Sequence, residues 1–238
     1  MPPESTESAA AAVVAPPLLD VREAMREDIL GCTLKPGQRL KIEDLRKRYE
    51  ASVGTLREAL VQLVSEGLVQ AEVNRGFAVA PVSVADLMDI TELRVDLECK
   101  ALGGAMQEGD DDWEARILGA FHVMRKMEPT LRGGALQDPA RMREWAERHR
   151  RFHDALVSAC PSAWVLRFRQ TLFDQARRYR ALSMRHSTVP GRLDQHQALM
   201  DAVMNRDAVR AFELAELHIR DTTRNVLEQL RTGESAAG

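Results

Sequence analysis

Three helical periodicities and then a pair of short strand patterns occupy residues 18–82, and few folds accept that order in so little chain. From Leu18 to Leu30 the apolar residues Val21, Met25 and Ile29 recur at every fourth position, so they share one helical face. Gly31 and the turn Lys35-Pro36-Gly37 end that helix, and Ile42, Leu45 and Tyr49 mark a short second one. Ser52 carries the side chain of an N-cap for a third helix running to about Glu66, with Gly67 as its stop signal. Leu68 to Val73 and Phe77 to Val79 read as two strands joined through Asn74-Arg75-Gly76, residues that tolerate positive φ.

Helix, helix, tight turn, helix and hairpin is the order of a winged helix-turn-helix, here residues 18–82. Pro81 follows, and Ser83-x-x-Asp86 has capping-box spacing with Asp in place of Glu, so a new domain begins near residue 83. No strand pattern occurs beyond it. Helical periodicities over about 84–107, 111–128, 139–159, 162–184, 191–205 and 207–231 predict an all-helical bundle spanning 83–231. Asp138-Pro139 and Cys160-Pro161 read as helix starts with proline at the first helical position, and Gly133-Gly134 and His186 to Gly191 read as loops. The expected fold class is therefore mainly α. The alanine-rich residues 1–17 and the stretch 232–238 read as disordered tails.

Composition narrows the function classes. Of 238 residues, 45% are apolar and 29% charged, the balance of a globular protein with room for two domains. No run reaches the roughly 18 apolar residues of a membrane span. The apolar stretch Ala9 to Leu19 is preceded by Glu4 and Glu7 and broken by Pro16-Pro17, unlike a signal peptide. A cytoplasmic protein without a membrane partner is expected. Cys32, Cys99 and Cys160, odd in number and widely spaced, suit reduced thiols in a core. A net charge of -3 offers no general attraction to nucleic acid, so DNA binding requires a local set of basic groups.

The third helix offers such a set. Val53, Leu56, Leu60, Leu63 and Val64 form its apolar stripe, leaving Gly54, Thr55, Arg57 and Glu58 off the stripe near the N-terminal end. That is the end at which recognition helices touch bases. Arg57 suits guanine or phosphate, Thr55 suits phosphate, and the helix N-terminus at Ser52 favours anions. Lys41, Arg46, Lys47, Arg48 and Arg75 are placed to hold the backbone, with Glu43, Asp44 and Glu50 diluting the patch. An isolated Arg57 would otherwise be one more solvated helix charge.

Four stretches of this region resemble the GntR family: Lys35-Pro36-Gly37-Gln38-Arg39-Leu40, Leu56-Arg57-Glu58-Ala59-Leu60, Glu66-Gly67-Leu68-Val69 and Arg75-Gly76-Phe77. The resemblance implies sequence-specific binding to a double-stranded DNA operator through the helix that starts at Ser52. It implies Arg57 as a base or phosphate contact, with Gly54, Thr55, Arg39 and Lys41 in the same interface. The wing, Asn74, Arg75 and Gly76, would enter the minor groove. Many members have Ser-Arg where this chain has Ser52-Val53, so one arginine contact of the commonest pattern is missing.

Six histidines are distributed over the helical region. His122 and His186 fall outside the apolar stripes. His149 and His153 are four apart on a face shared with Trp145, Phe152 and Leu156. His196 lies in the stripe of Leu193, Met200 and Val203, and His218 follows Ala211 and Ala215. Each alone reads equally as a hydrogen-bonded core residue; together they read as imidazoles from three helices, donors suited to Zn, Ni and related ions.

Residues 83–225 resemble the FCD ligand-binding domain of the FadR subfamily, through Glu92-Leu93-Arg94, Leu97-Glu98, Phe152-His153 and the later His196 and His218. Many such domains hold a divalent metal with three His and one Asp or Asn, the latter four residues before the Phe-His histidine. The resemblance therefore implies His153, His196 and His218 as metal ligands, with His149 standing at the fourth position. An all-nitrogen set favours Zn or Ni over Mn or Mg. It also implies a homodimer formed through the helical domain, a palindromic operator and effector-induced release.

Arg94 shares a seam with Leu87, Ile90, Leu97 and Ala101, and a charge there needs a partner. That partner is either Glu98 in an i,i+4 pair or the carboxylate of an effector held beside the metal. The arginines from Arg141 to Arg192 read mostly as a solvated face, with one or two facing the pocket. Ala80-Pro81-Val82-Ser83, Gly109-Asp110 before Trp113-Glu114, and Cys160 after Phe152-His153 resemble a CsiR-like, glutarate-responsive subgroup, which implies a small dicarboxylate or hydroxy acid. The reading is thus a ligand-responsive repressor and not an enzyme. Two alternatives stand beside it: a helical metalloenzyme, against which no His-Glu-x-x-His or Glu-x-x-His motif occurs, and an adaptor whose winged helix binds protein.

Overall fold

The computed structural model describes residues 17–72, 75–127, 138–184 and 193–235. Its elements run α1 (Leu18–Leu30), β1 (Arg39–Leu40), α2 (Ile42–Tyr49), α3 (Val53–Ser65), β2 (Val69–Glu72), β3 (Gly76–Val79), α4 (Val84–Glu108), α5 (Asp111–Met127), α6 (Pro139–Val157), α7 (Ala163–Met184), α8 (Leu193–Met204) and α9 (Ala208–Ser235). Contacts divide the described chain into two units: Gly37–Ala80 with α1 as far as Glu27, and everything from Pro81 onward with Asp28–Pro36.

In the first unit α3 is defined at both ends by its own sequence. Ser52 Oγ accepts the Thr55 N–H at 3.1 Å, satisfying one of the donors a helix start leaves open. At the other end Gly67, at φ +71°, closes a Schellman turn: its N–H reaches the Val64 carbonyl at 3.0 Å and the Leu68 N–H reaches Leu63 at 3.0 Å. Glu66, between them, accepts Arg22 Nη1 at 2.8 Å and Arg26 Nε at 2.9 Å, fastening α1 to the end of α3.

The sheet is antiparallel in the order β1-β3-β2. Two of its strands match the sequence pattern. The third, β1, pairs Arg39 with Ala78 and Leu40 with Phe77, and two residues are too few to carry a period of two. In the hairpin the ladder runs from Val69↔Val79 to Glu72↔Gly76.

In the second unit Ser83 caps α4, its Oγ accepting the Asp86 N–H at 3.1 Å. The reciprocal half of the capping box is made differently. Tyr179 of α7 accepts the Ser83 N–H through its hydroxyl oxygen at 3.2 Å and donates its proton to Asp86 Oδ2. Helix α4 packs on α6, α7, α8 and α9. The main core gathers Trp113, Phe121, Phe152, Leu156, Leu199 and Val203, drawn from α5, α6 and α8.

Several boundaries differ from the periodicity. Helix α7 starts at Ala163, and Ser162 Oγ accepts the Val165 N–H at 3.3 Å, so Pro161 precedes the cap instead of opening the helix. Helix α9 runs on through Ser235, past the expected end at 231. Asp138 caps α6 with Pro139 at its first position, as the sequence suggested. The loops expected at Gly133-Gly134 and 186–191, His186 itself, and residues 1–16 and 236–238 of the expected tails lie outside the described residues. Cys32, Cys99 and Cys160 are free thiols, the first and last buried. No helix among the described residues is long and apolar enough to cross a membrane.

Candidate functional site

Two groups of side chains stand out, one in each unit. In the first, the exposed start of α3 carries Gly54 and Arg57. Thr55 is half-buried and its hydroxyl lies 2.9 Å from that of Ser52, so these two hydroxyls support each other while the cap is made. The buried stripe consists of Leu56, Ala59, Leu60 and Leu63. Val53 was expected in it and is instead exposed, because the first turn lies beyond the packed face.

Arg39 on β1 is exposed and 3.9 Å from Glu72, and Lys41 is the exposed residue preceding α2. Arg75 is exposed in the hairpin turn, its N–H bonded to the Glu72 carbonyl at 3.0 Å, next to Gly76 at φ +87°. That positive φ is the reason a glycine serves there. Asn74 lies outside the described residues. On α2, Glu43 takes up Arg46 at 3.4 Å, so part of the basic set is neutralised locally.

In the second unit His149 and His153 of α6, His196 of α8 and His218 of α9 each offer a ligand atom, all within 4.8 Å of one another. His149 Nε2 is 3.1 Å from His196 Nε2 and 3.2 Å from His153 Nε2. Imidazole nitrogens that share one first-row divalent ion at about 2.0–2.1 Å stand roughly 3.0–3.4 Å apart, so the His149–His196 and His149–His153 separations suit such an ion. Burial holds His149 and His153 well below the ordinary histidine range, and neighbouring imidazoles push in the same direction. Both rings are therefore neutral at physiological pH, the state in which an imidazole ligates.

The surroundings orient these rings. Trp145 stacks on His149 at 4.9 Å, and Phe152 stands edge-on to His196 at 5.6 Å. Behind His218, Nδ1 is 3.3 Å from Gln195 Oε1, and Gln195 Nε2 donates to Asp221 at 3.0 Å. An Nδ1–H donated to Gln195 leaves His218 Nε2 as the ligating atom, an outer partner of the kind that fixes a metal-binding tautomer.

Beside the imidazoles the charge is positive. The guanidinium carbons of Arg94, Arg169 and Arg180 lie 5.4, 5.7 and 5.0 Å from the centre of the Phe173 ring, itself 6.4 Å from His149. Arg169 is committed: it donates to both oxygens of Glu98 at 2.8 and 3.1 Å, to Asp154 at 3.0 Å and to the His153 carbonyl at 3.0 Å. The i,i+4 partner available to Arg94 thus turns both oxygens toward another helix. Burial lowers the Arg94 pKa to about 10, and burial with Arg94 and Arg177 nearby lowers that of Arg180 to about 9. Both remain cationic at neutral pH, in surroundings that favour an anion. Of the arginines expected to lie mostly on a solvated face, Arg141, Arg143, Arg151 and Arg167 are exposed, whereas Arg169, Arg177 and Arg178 are buried.

A family model described as bacterial regulatory proteins, gntR family, matches residues 18–79, and one described as FCD domain matches residues 89–221. The chain belongs to the gntR family. This gntR-family protein is 41% identical over 202 residues to the HTH-type transcriptional regulator BphR of Paraburkholderia xenovorans, covering 84% of this chain and 81% of that protein. It is 37% identical over 206 residues to the HTH-type transcriptional repressor GlaR of Escherichia coli, covering 84% and 91%. Among solved structures, E. coli McbR/YncC superposes with a TM-score of 0.75 over 90% of this chain and 98% of that one, at 18% identity, a likeness of fold. The family binds DNA operators, and the gntR-family chain is a transcription regulator and not an enzyme.

The sequence pattern of this gntR-family chain named the four histidines and Arg94, which the fold brings to one region. It missed Arg169 and Glu98 as a pair, because 71 positions separate them. It also missed Gln195 and Asp221. Gln195 is one residue before His196 but faces His218, a relation that only the packing of α8 on α9 creates.

Proposed function

We propose that the chain is a homodimeric repressor that leaves a palindromic operator when a small carboxylic acid binds beside a divalent metal. The observation that carries this reading is the convergence of four imidazoles from three helices next to the buried Arg94 and the half-buried Arg180. His149, His153, His196 and His218 would hold the ion, and their all-nitrogen character favours Zn or Ni. Such an ion would supply a Lewis-acidic attachment point for one carboxylate oxygen of the effector. Arg94 would bind the carboxylate through its paired N–H groups, and Arg180 adds positive charge suited to a dicarboxylate or hydroxy acid.

In the reading head, Arg57 and Gly54 at the start of α3 would face the major groove. The Ser52–Thr55 cap and helix N-terminus would face phosphate, with Arg39 and Lys41 on the backbone and the wing at Asn74, Arg75 and Gly76 in the minor groove. The repressor sense takes support from GlaR, which is named as a repressor. Effector and operator are coupled only to the extent that the effector prefers the form with lower operator affinity.

Footprinting of the purified full chain on the promoter-proximal DNA beside its own gene tests the reading. A protected site with two-fold symmetry, lost on adding small dicarboxylates or hydroxy acids, is expected. The absence of any footprint overturns it.

A further inference from the structure

Two adjacent residues at the start of α3 are not accounted for by the folding of their own unit. Val53 opens the helix and is apolar, yet it is 38% exposed and stands outside the buried stripe. Gly54 follows it, and a Cβ built there would meet nothing nearer than Ser52 Oγ at 3.7 Å, an ordinary contact. Its backbone is helical, so neither conformation nor packing demands a glycine, and glycine weakens a helix relative to alanine. A lone exposed valine needs no explanation. A valine beside a dispensable glycine, at the end of a helix that meets bases, does.

The chemistry of the pair indicates what they meet. Cα–Cβ bonds tilt toward the start of a helix, so the Val53 methyl groups lean toward the end at which recognition helices touch base edges. The bare Cα of Gly54 beside them lets the backbone approach closely. An isopropyl group neither donates nor accepts a hydrogen bond, so it has no means of reading the polar edge of guanine, adenine or cytosine. The apolar group that the major groove offers is the 5-methyl of thymine. Arg57, exposed one turn further along, supplies a polar contact next to it. A charged side chain at position 53 would have favoured guanine or phosphate instead.

We infer that Val53 is a specificity-determining residue of the reading head: its isopropyl group packs on the 5-methyl group of a thymine in each half of the operator, and Gly54 gives the clearance. The inference rests on the placement of α3 in the major groove under the proposed function, and adds the base that its first turn selects. Val61, 60% exposed on the same helix, lies eight residues further on, about 12 Å along the axis, and takes no part.

Fluorescence anisotropy of the full chain on its footprinted operator tests the assignment, with thymines replaced by deoxyuridine one symmetric pair at a time. The exchange removes the 5-methyl group and leaves base pairing intact. One pair is expected to stand out, with affinity falling about fourfold for each methyl lost and about fifteenfold for the pair. Val53→Ser should bind the thymine and uracil duplexes equally, with an unchanged helical circular-dichroism signal, whereas Val61→Ser should keep the difference. A uracil effect undiminished in Val53→Ser reports DNA shape and overturns the contact, as does an operator in which no thymine methyl matters. Loss of the effect in Val61→Ser as well overturns its assignment to the first turn. All three outcomes leave the operator reading intact; the absence of any footprint overturns both.

Discussion

A Cβ on Gly109 would stand closer than 3.0 Å to the indole of Trp113. The backbone itself would accept a side chain there, since Gly109 has φ -67°. The ring has no room to withdraw: it is fully buried, its Nε1–H donates to the Ala155 carbonyl at 2.9 Å, and the Arg206 guanidinium covers it at 4.5 Å. Gly109→Ala is therefore expected to destabilise the helical unit by about 1–3 kcal/mol, the range for overpacking a filled site. Urea denaturation checks this, and an unchanged midpoint would show that the α4–α5 corner yields.

Tyr179 is the group to test for pH dependence. Burial and the hydrogen bond to Asp86 push its hydroxyl up to about 12, from an ordinary value of 10. The raised pKa means the folded chain keeps this proton after the unfolded chain has lost it. The associated stability is thus complete below pH 10 and disappears as pH rises from 10 toward 12. Tyr179→Phe should cost about 1 kcal/mol near neutral pH, through the lost bonds to Asp86 and Ser83, and should flatten the alkaline decline in thermal midpoint. An equal decline in both proteins would refute the assignment.

For DNA, Arg57→Ala is expected to weaken operator binding by about 1–3 kcal/mol while leaving melting temperature and metal content unchanged. Its side chain is exposed on α3 and supports no described packing. Fluorescence anisotropy on the footprinted sequence gives the answer, and unaltered affinity removes Arg57 from the interface.

His153→Ala should lower the metal retained by purified protein after dialysis, measured by inductively coupled plasma mass spectrometry. His122→Ala serves as the control, because His122 is exposed on α5 outside the cluster. Equal metal content in the two variants would separate the imidazoles from any ion the protein carries.

Much of this was readable in the sequence wherever one residue determines its own surroundings. Ser52, Ser83 and Asp138 cap the helices expected of them because capping is a local bond. The histidines converge because each sits in an apolar stripe, and apolar stripes face one core. The strand at Arg39–Leu40 and the place of Pro161 were not legible: the first exists only through β3, and the second depends on Ser162 competing as the cap. The Arg94–Glu98 pair illustrates the same limit. Spacing on one helix offered it, and Arg169 from another helix took the carboxylate.

Phe168 and Arg169 are neighbours on α7, the first exposed and stacked on Trp164 and the second buried against α4 and α6. A rigid helix has no means of rotating one without carrying the other. Whatever re-seats Arg169 against the carbonyl of His153 shifts the aromatic surface in the same motion. By reciprocity a neighbour pressed on that surface would bias the seat of Arg169. The two faces of α7 then report a single mechanical coordinate, so the environment of the exposed aromatic pair becomes as good a readout of the buried side as the buried side itself.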